Sequence, residues 1–145
     1  GEVVSFRTFM TGEMFALLSD RSILRHTMDG GWDDAAFNEA VSDAISRPET
    51  MAARLFTIRA DGLLHGLPPA TARARLSGVL IGSELAAARP YWLGQDVVII
   101  GNAALSSRYF DALAAQGLAP RSVDGIDATL AGLTAAYHNL EEALT

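Results

Sequence analysis

The sequence predicts an α/β domain, rich in helix around a small mixed sheet, and three observations carry that prediction. Asp96-Val97-Val98-Ile99-Ile100-Gly101-Asn102, running straight into Ala103 to Gly117, reads as strand, glycine turn and helix. Val3 to Met10 is rich in β-branched and aromatic residues and reads as a second strand. Between and after them, apolar residues recur at helical spacing. Four consecutive β-branched residues at Val97 to Ile100 suit a strand covered on both faces, so this strand is expected at the centre, with the rest of the chain arranged around it.

Composition bounds the functions open to such a domain. The 145 residues are half apolar and are expected to form one domain, 1–145, with a proper core. A balance of 11 basic against 17 acidic residues gives a net charge of −6, with no basic cluster. That field repels nucleic acid and anionic membrane, and neither is expected as a partner. No cysteine is present, which excludes a thiolate nucleophile, a thiolate metal site and a disulfide framework, and fits a cytoplasmic location. No apolar run approaches the roughly 20 residues that span a bilayer, and Gly1-Glu2-Val3-Val4 does not read as a signal peptide.

Taken in order, Thr11-Gly12-Glu13 ends the first strand and opens a helix from about Glu13 to Ser19. Thr8, Thr11 and Glu13 bring two hydroxyls and a carboxylate to a strand end; they suit hydrogen bonds to a polyol or phosphate, and equally a helix cap. Asp20 to Asp34 reads as irregular, anchored by Trp32. Asp33 or Asp34 then caps a helix to Ile45 with Phe37, Val41 and Ala44 or Ile45 on its inner face. Ser46-Arg47-Pro48-Glu49 has the spacing of a capping box, followed by Met51, Leu55 and Ile58 on one helical face and closed by Asp61-Gly62.

Pro68-Pro69 starts a longer helix to about Ala88, whose interior holds Gly78 and Gly82. Each glycine costs about 1 kcal/mol against alanine in a helix, and the four-residue spacing aligns both on one side, so another helix or a flat ligand must press there. After the Asp96 strand, Asn102 caps a helix with Leu105, Tyr109 and Leu113 facing the core, and Gly117 stops it. Ala119 to Val123 reads as a short strand. Asp124 caps a last helix whose stripe of Ile126, Leu130, Leu133, Tyr137, Leu140 and Leu144 is expected to cover the sheet.

In layered α/β folds ligands gather beyond the carboxyl ends of strands, where helix amino termini offer free N–H groups, so Gly101 to Ser106 is the candidate site. The catalytic inventory is otherwise thin. His26, His65 and His138 stand in no metal spacing, no serine sits in a nucleophile elbow, and there is no P-loop. No catalytic or metal-binding residue is assigned.

Phe6-Arg7-Thr8-Phe9-Met10-Thr11-Gly12-Glu13, Leu76 to Leu85 and Ile99-Ile100-Gly101-Asn102-Ala103-Ala104-Leu105 resemble, in order, segments of the 2-dehydro-3-deoxygalactonokinases. The resemblance spans nearly the whole chain and implies a ribonuclease-H-like domain of the actin, hexokinase and Hsp70 superfamily, in which two domains close around ATP, Mg²⁺ and a sugar. It covers the carboxy-terminal domain only; the family's amino-terminal domain, with its phosphate loop and catalytic aspartate, has no counterpart here. It implies ATP-dependent phosphorylation of 2-dehydro-3-deoxy-D-galactonate at the 6-hydroxyl, with nucleotide contacts from Gly101, Asn102, Ala103 and Ser106. Gly78 and Gly82 would stand near the base, and Thr8, Thr11 and Glu13 near the interdomain cleft. A non-catalytic nucleotide-sensing or assembly module is the other reading. With only Val3–Met10, Asp96–Ile100 and Ala119–Val123 as strands, the sheet is expected to be incomplete, with the edge of Val3–Met10 open and either paired with a second copy in a homodimer or covered by the missing domain.

Overall fold

A computed structural model describes residues 3–144, with side chains to residue 141. The chain forms two compact units, Gly1–Leu93 and Gly94–Thr145.

Among the described residues the regular elements of the first unit are all helices: α1 (Thr11–Asp20), a 3₁₀ turn (Ile23–Thr27), α2 (Asp34–Ser46), a second 3₁₀ turn (Pro48–Thr50), α3 (Met51–Leu64), α4 (Pro69–Ala87) and α5 (Arg89–Trp92). Helix α4 is its axis. Pro68 is extended and Pro69 occupies the first turn, where a missing N–H costs nothing. From Ala72 onward α4 is buried on nearly every side, through Ala74, Leu76–Gly82 and Leu85, as befits a helix enclosed by others. On one flank Leu24, Ile58, Ala72, Leu76 and Leu80 form a cluster joined by Met14, Phe15 and Leu18 of α1 and Met51 and Leu55 of α3. On the other lies α2, with Phe37 and Val41 fully buried. Burying side chains such as Phe37 or Leu76 stabilises by about 2–3 kcal/mol each.

Asp33 caps α2 as expected, accepting from the Ala36 N–H at 3.0 Å and, through its other oxygen, from the Thr71 hydroxyl at 2.8 Å. These hydrogen bonds hold its carboxyl below the usual range, the Ala36 N–H being the largest cause. One residue therefore sets the start of α2 and ties it to α4. Trp32 packs on Phe37 with ring centroids 5.4 Å apart.

Several expectations are corrected here. Val3–Met10 is not a strand: it has no strand partner among the described residues, and its side chains are exposed. Ser5 and Arg7 rest instead on Tyr91, by a 2.8 Å hydroxyl contact and a guanidinium 6.0 Å from the ring centre. Thr11 does not cap α1; it lies inside the helix and donates to the Glu84 carboxylate of α4. The Ser46 box does not form, because the Ser46 hydroxyl bonds back to the Ser42 carbonyl at 2.8 Å and Arg47 breaks the helix there. Asp61-Gly62 does not close α3, which continues to Leu64; Gly62 lies against the Thr27 side chain, and the left-handed Gly66 (φ 63°) follows the helix. The stretch before Asp34, expected to be irregular, contains the Ile23–Thr27 turn, capped by Ser22 accepting from the Leu24 N–H at 3.0 Å.

The second unit comprises β1 (Val98–Gly101), α6 (Ala103–Ala114), β2 (Arg121–Asp124) and α7 (Gly125–Leu144). The strands pair in parallel from Val98↔Arg121 to Gly101↔Asp124. Gly117 ends α6 as expected, in the left-handed region at φ 85°; its N–H bonds to the Ala114 carbonyl and that of Leu118 to Leu113, which satisfies the last carbonyls of the helix. Asp124 Oδ1 accepts from the Ile126 and Asp127 N–H groups at 2.8 and 3.3 Å and so caps α7.

Here too the structure departs from expectation. β1 is not central and not covered on both faces: among the described residues it has β2 as its single neighbour, and Ile100 is 62% exposed. The sheet is parallel rather than mixed. The inner face of α6 is Ser106, Ala112 and Leu113, whereas Leu105 is largely exposed. The stripe of α7 from Ile126 to Leu140 does not cover the sheet but stands exposed; Leu144 and the Glu142 side chain lie outside the described side chains.

Candidate functional site

The junction of β1 and α6 has the geometry the sequence anticipated. Asn102 is extended (φ −73°, ψ 151°), and its side-chain oxygen accepts from the Leu105 N–H at 3.0 Å while its carbonyl accepts from Ser106 N–H at the same distance. The cap leaves the Ala103 and Ala104 N–H groups, at the positive end of a 12-residue helix, open to a ligand. Gly101 brings backbone close to Ser106: a β-carbon there would stand 3.2 Å from the Ser106 hydroxyl and would meet nothing else.

Gly101, Leu105 and Ser106, with Ile99, Ile100 and Tyr109, line a depression of about 220 Å³. Apart from Ser106 and Tyr109, the lining residues carry apolar side chains or none. Ser106 is 6% exposed, and its hydroxyl has no hydrogen-bond partner. A buried hydroxyl left unbonded costs on the order of 1–3 kcal/mol, so a polar group of a ligand at this spot would remove a standing penalty.

The other site residues fare differently. Gly78 and Gly82 are buried against α2: β-carbons there would lie 2.6 Å from the Phe37 carbonyl and 2.7 Å from that of Val41. Of the two occupants the sequence allowed for this strip, the neighbouring helix α2 is present there. Thr8 and Glu13 are exposed in the first unit, and the Thr11 hydroxyl is engaged by Glu84.

A larger depression, about 300 Å³, lies in the first unit among Glu39, Asp43, Arg54, Thr57, Ile58 and Arg75. Sequence reading did not single it out, since three helices must pack before its charges meet. Its charges face one another. Arg54 bonds Asp43 at 2.6 Å and Thr50 at 2.7 Å, and Arg75 bonds Asp61 at 3.1 Å. The Arg54 hydrogen bond also holds the Asp43 carboxyl below its usual range. Despite its size, this is a brace between helices, and the smaller depression with the unbonded hydroxyl is the better site. Among the described residues no group of three acidic or histidine side chains could hold a metal ion.

A sequence profile of the 2-keto-3-deoxy-galactonokinase family matches residues 1–136. A protein of Rhizobium meliloti (strain 1021) named as a probable 2-dehydro-3-deoxygalactonokinase is 43% identical over 139 residues, which cover 92% of this chain and 45% of that protein. The 2-dehydro-3-deoxygalactonokinase of Escherichia coli (strain K12) is 32% identical, over 94% of this chain and 47% of its own length. A crystal structure from Sinorhizobium meliloti, provisionally assigned as a 2-dehydro-3-deoxygalactonokinase, superposes with a TM-score of 0.87 at 41% identity, covering 94% of this chain and 47% of that one. The chain thus spans about half the length of the relatives it matches.

Proposed function

The chain belongs to the 2-keto-3-deoxy-galactonokinase family, and we propose that it supplies the carboxy-terminal, nucleotide-side part of a kinase that phosphorylates the 6-hydroxyl of 2-dehydro-3-deoxy-D-galactonate. In this reading the chain contributes to a ribonuclease-H-like domain, and ATP with Mg²⁺ supplies the phosphoryl group when bound. Gly101 keeps the ledge at the end of β1 free of a side chain, Ala103 and Ala104 present N–H groups to it, and Asn102 holds the helix start rigid. Ser106 offers the one buried hydroxyl among the described residues that lacks a partner. The depression is smaller than the roughly 300–1,000 Å³ of complete ligand pockets, so these residues would hold one portion of the nucleotide. Mg²⁺ would take its ligands from the phosphates and from residues elsewhere in the enzyme.

The observation that carries this reading is the unbonded Ser106 hydroxyl at a strand–glycine–helix junction. Thr8 and Glu13 remain the candidates for the sugar-acid cleft, with Thr11 held back by Glu84. Phosphoryl transfer needs a positioned hydroxyl and charge stabilisation from both sides of a closed site, so the 145-residue chain by itself is expected to be inactive. Ser106→Ala in a full-length enzyme carrying this segment tests the assignment. Calorimetric titration should show ATP bound about tenfold more weakly, while stability without ligand holds or rises, because the orphaned hydroxyl is gone. Unchanged ATP affinity would put the nucleotide elsewhere, and ADP release by the isolated chain with the sugar acid would sink the division of labour.

A further inference from the structure

The depression among α2, α3 and α4 has a use beyond bracing those helices. Its charges are sorted by helix: Glu39 and Asp43 come from α2, four residues apart and so on one side of it, while Arg54 comes from α3 and Arg75 from α4. Its apolar lining residues, Ala40, Ile58 and Val79, are almost wholly buried and form the base. The hollow is therefore acidic along one wall, basic along the other two and apolar beneath. The brace does not use up these groups. Arg75 bonds Asp61 through Nη1 at 3.1 Å, which leaves Nε and Nη2 as a fork that fits a carboxylate. Arg54 keeps Nη2 after Nε bonds Thr50 at 2.7 Å and Nη1 bonds Asp43 at 2.6 Å. The Arg54 and Arg75 side chains are 21% and 34% exposed, so water screens them less than it would on an open surface. Glu39 lines the depression outside both ion pairs.

We infer that this depression binds a free, zwitterionic amino acid with an apolar side chain, its carboxylate on the Arg75 fork, its ammonium on Glu39 and its side chain against the base. A simple anion would face Glu39 and Asp43, and a simple cation would face Arg54 and Arg75, so a ligand carrying both signs is the one matched on every wall. A volume of about 300 Å³ stands at the lower end of ligand pockets, which suits a molecule of this size. The site lies within the first unit and shares no residue with the β1–α6 junction.

Saturation-transfer NMR on a full-length enzyme carrying this segment, titrated with L-leucine as the probe, tests the site. Isocaproate, which is leucine without its ammonium, and isoamylamine, which is leucine without its carboxylate, are the controls. L-Leucine should bind about tenfold more tightly than either. Glu39→Gln removes one charge from the α2 wall without touching an ion pair of the brace, so it should weaken L-leucine about tenfold while the protein stays folded. Arg75→Gln removes the fork and should weaken L-leucine at least as much; because it also breaks the bond to Asp61, a variant that fails to fold leaves the decision to Glu39→Gln. The absence of saturation transfer to L-leucine overturns the inference. So does a control that binds as tightly as L-leucine, which identifies a plain anion or cation site, and so does an L-leucine affinity unchanged by Glu39→Gln, which puts the amino acid elsewhere.

Discussion

Gly78 and Gly82 in α4 and Gly101 at the end of β1 are the same residue put to opposite uses. In the first unit the absent side chains let two helices touch backbone to backbone, so that any added atom collides with the Phe37 or Val41 carbonyl. In the second unit the absent side chain faces open space and one hydroxyl. A glycine in a buried helix therefore reports on its neighbouring helix, whereas a glycine at a strand end with an orphaned polar group beside it reports on a ligand.

Substitutions at these positions can break that contrast. The largest effect is expected from Gly78→Val, which drives three carbons into the Phe37 carbonyl and Ala40; denaturant unfolding should show a loss of about 3 kcal/mol, the upper range for overpacking. Gly82→Ala should cost less, a net of about 1–2 kcal/mol, because alanine's better helix propensity, worth about 1 kcal/mol, offsets part of the clash. A stabilised Gly82→Ala protein would show that α2 and α4 yield more easily than their spacing implies. Gly101→Val should reverse the pattern: about tenfold weaker ATP binding in the full-length enzyme, with a stability change below about 1 kcal/mol. If unfolding is sharply easier and ATP affinity is retained, Gly101 belongs with the packing glycines.

The smallest effect concerns pH. The folded-state pKa of Asp33 is depressed, so the stability it lends is present above its unfolded value and is lost as pH falls through the lower folded value. Asp33→Asn, which retains a cap but cannot titrate, should flatten the acid side of the stability curve below about pH 4 and leave its neutral plateau nearly unchanged. An acid limb as steep as the wild type's would assign the titration to other carboxylates, Asp43 with its Arg54 partner first among them.

Local chemistry was legible in the sequence wherever the cause lay within a few residues. Asp33, Asn102 and Asp124 cap the helices they precede because a short polar side chain reaches N–H groups two or three positions on. Gly117 ends α6 because the left-handed turn there excludes a β-carbon at little cost to glycine alone. Phe37, Val41 and Ile58 were recognisable as core from spacing, and the Gly101–Ser106 junction as a candidate site from the strand before it. Partners distant in sequence decided the rest. Val3–Met10 and Val97–Ile100 have the composition of strands, but a strand is stabilised by neighbours, and among the described residues the first has none and the second has one. Thr11 could cap or cross-link until Glu84 was brought beside it. The glycine strip of α4 could face a helix or a ligand until α2 filled it. The unbonded state of Ser106 appears only once β1 and α6 are packed together, since burial is a property of the fold and not of the residue.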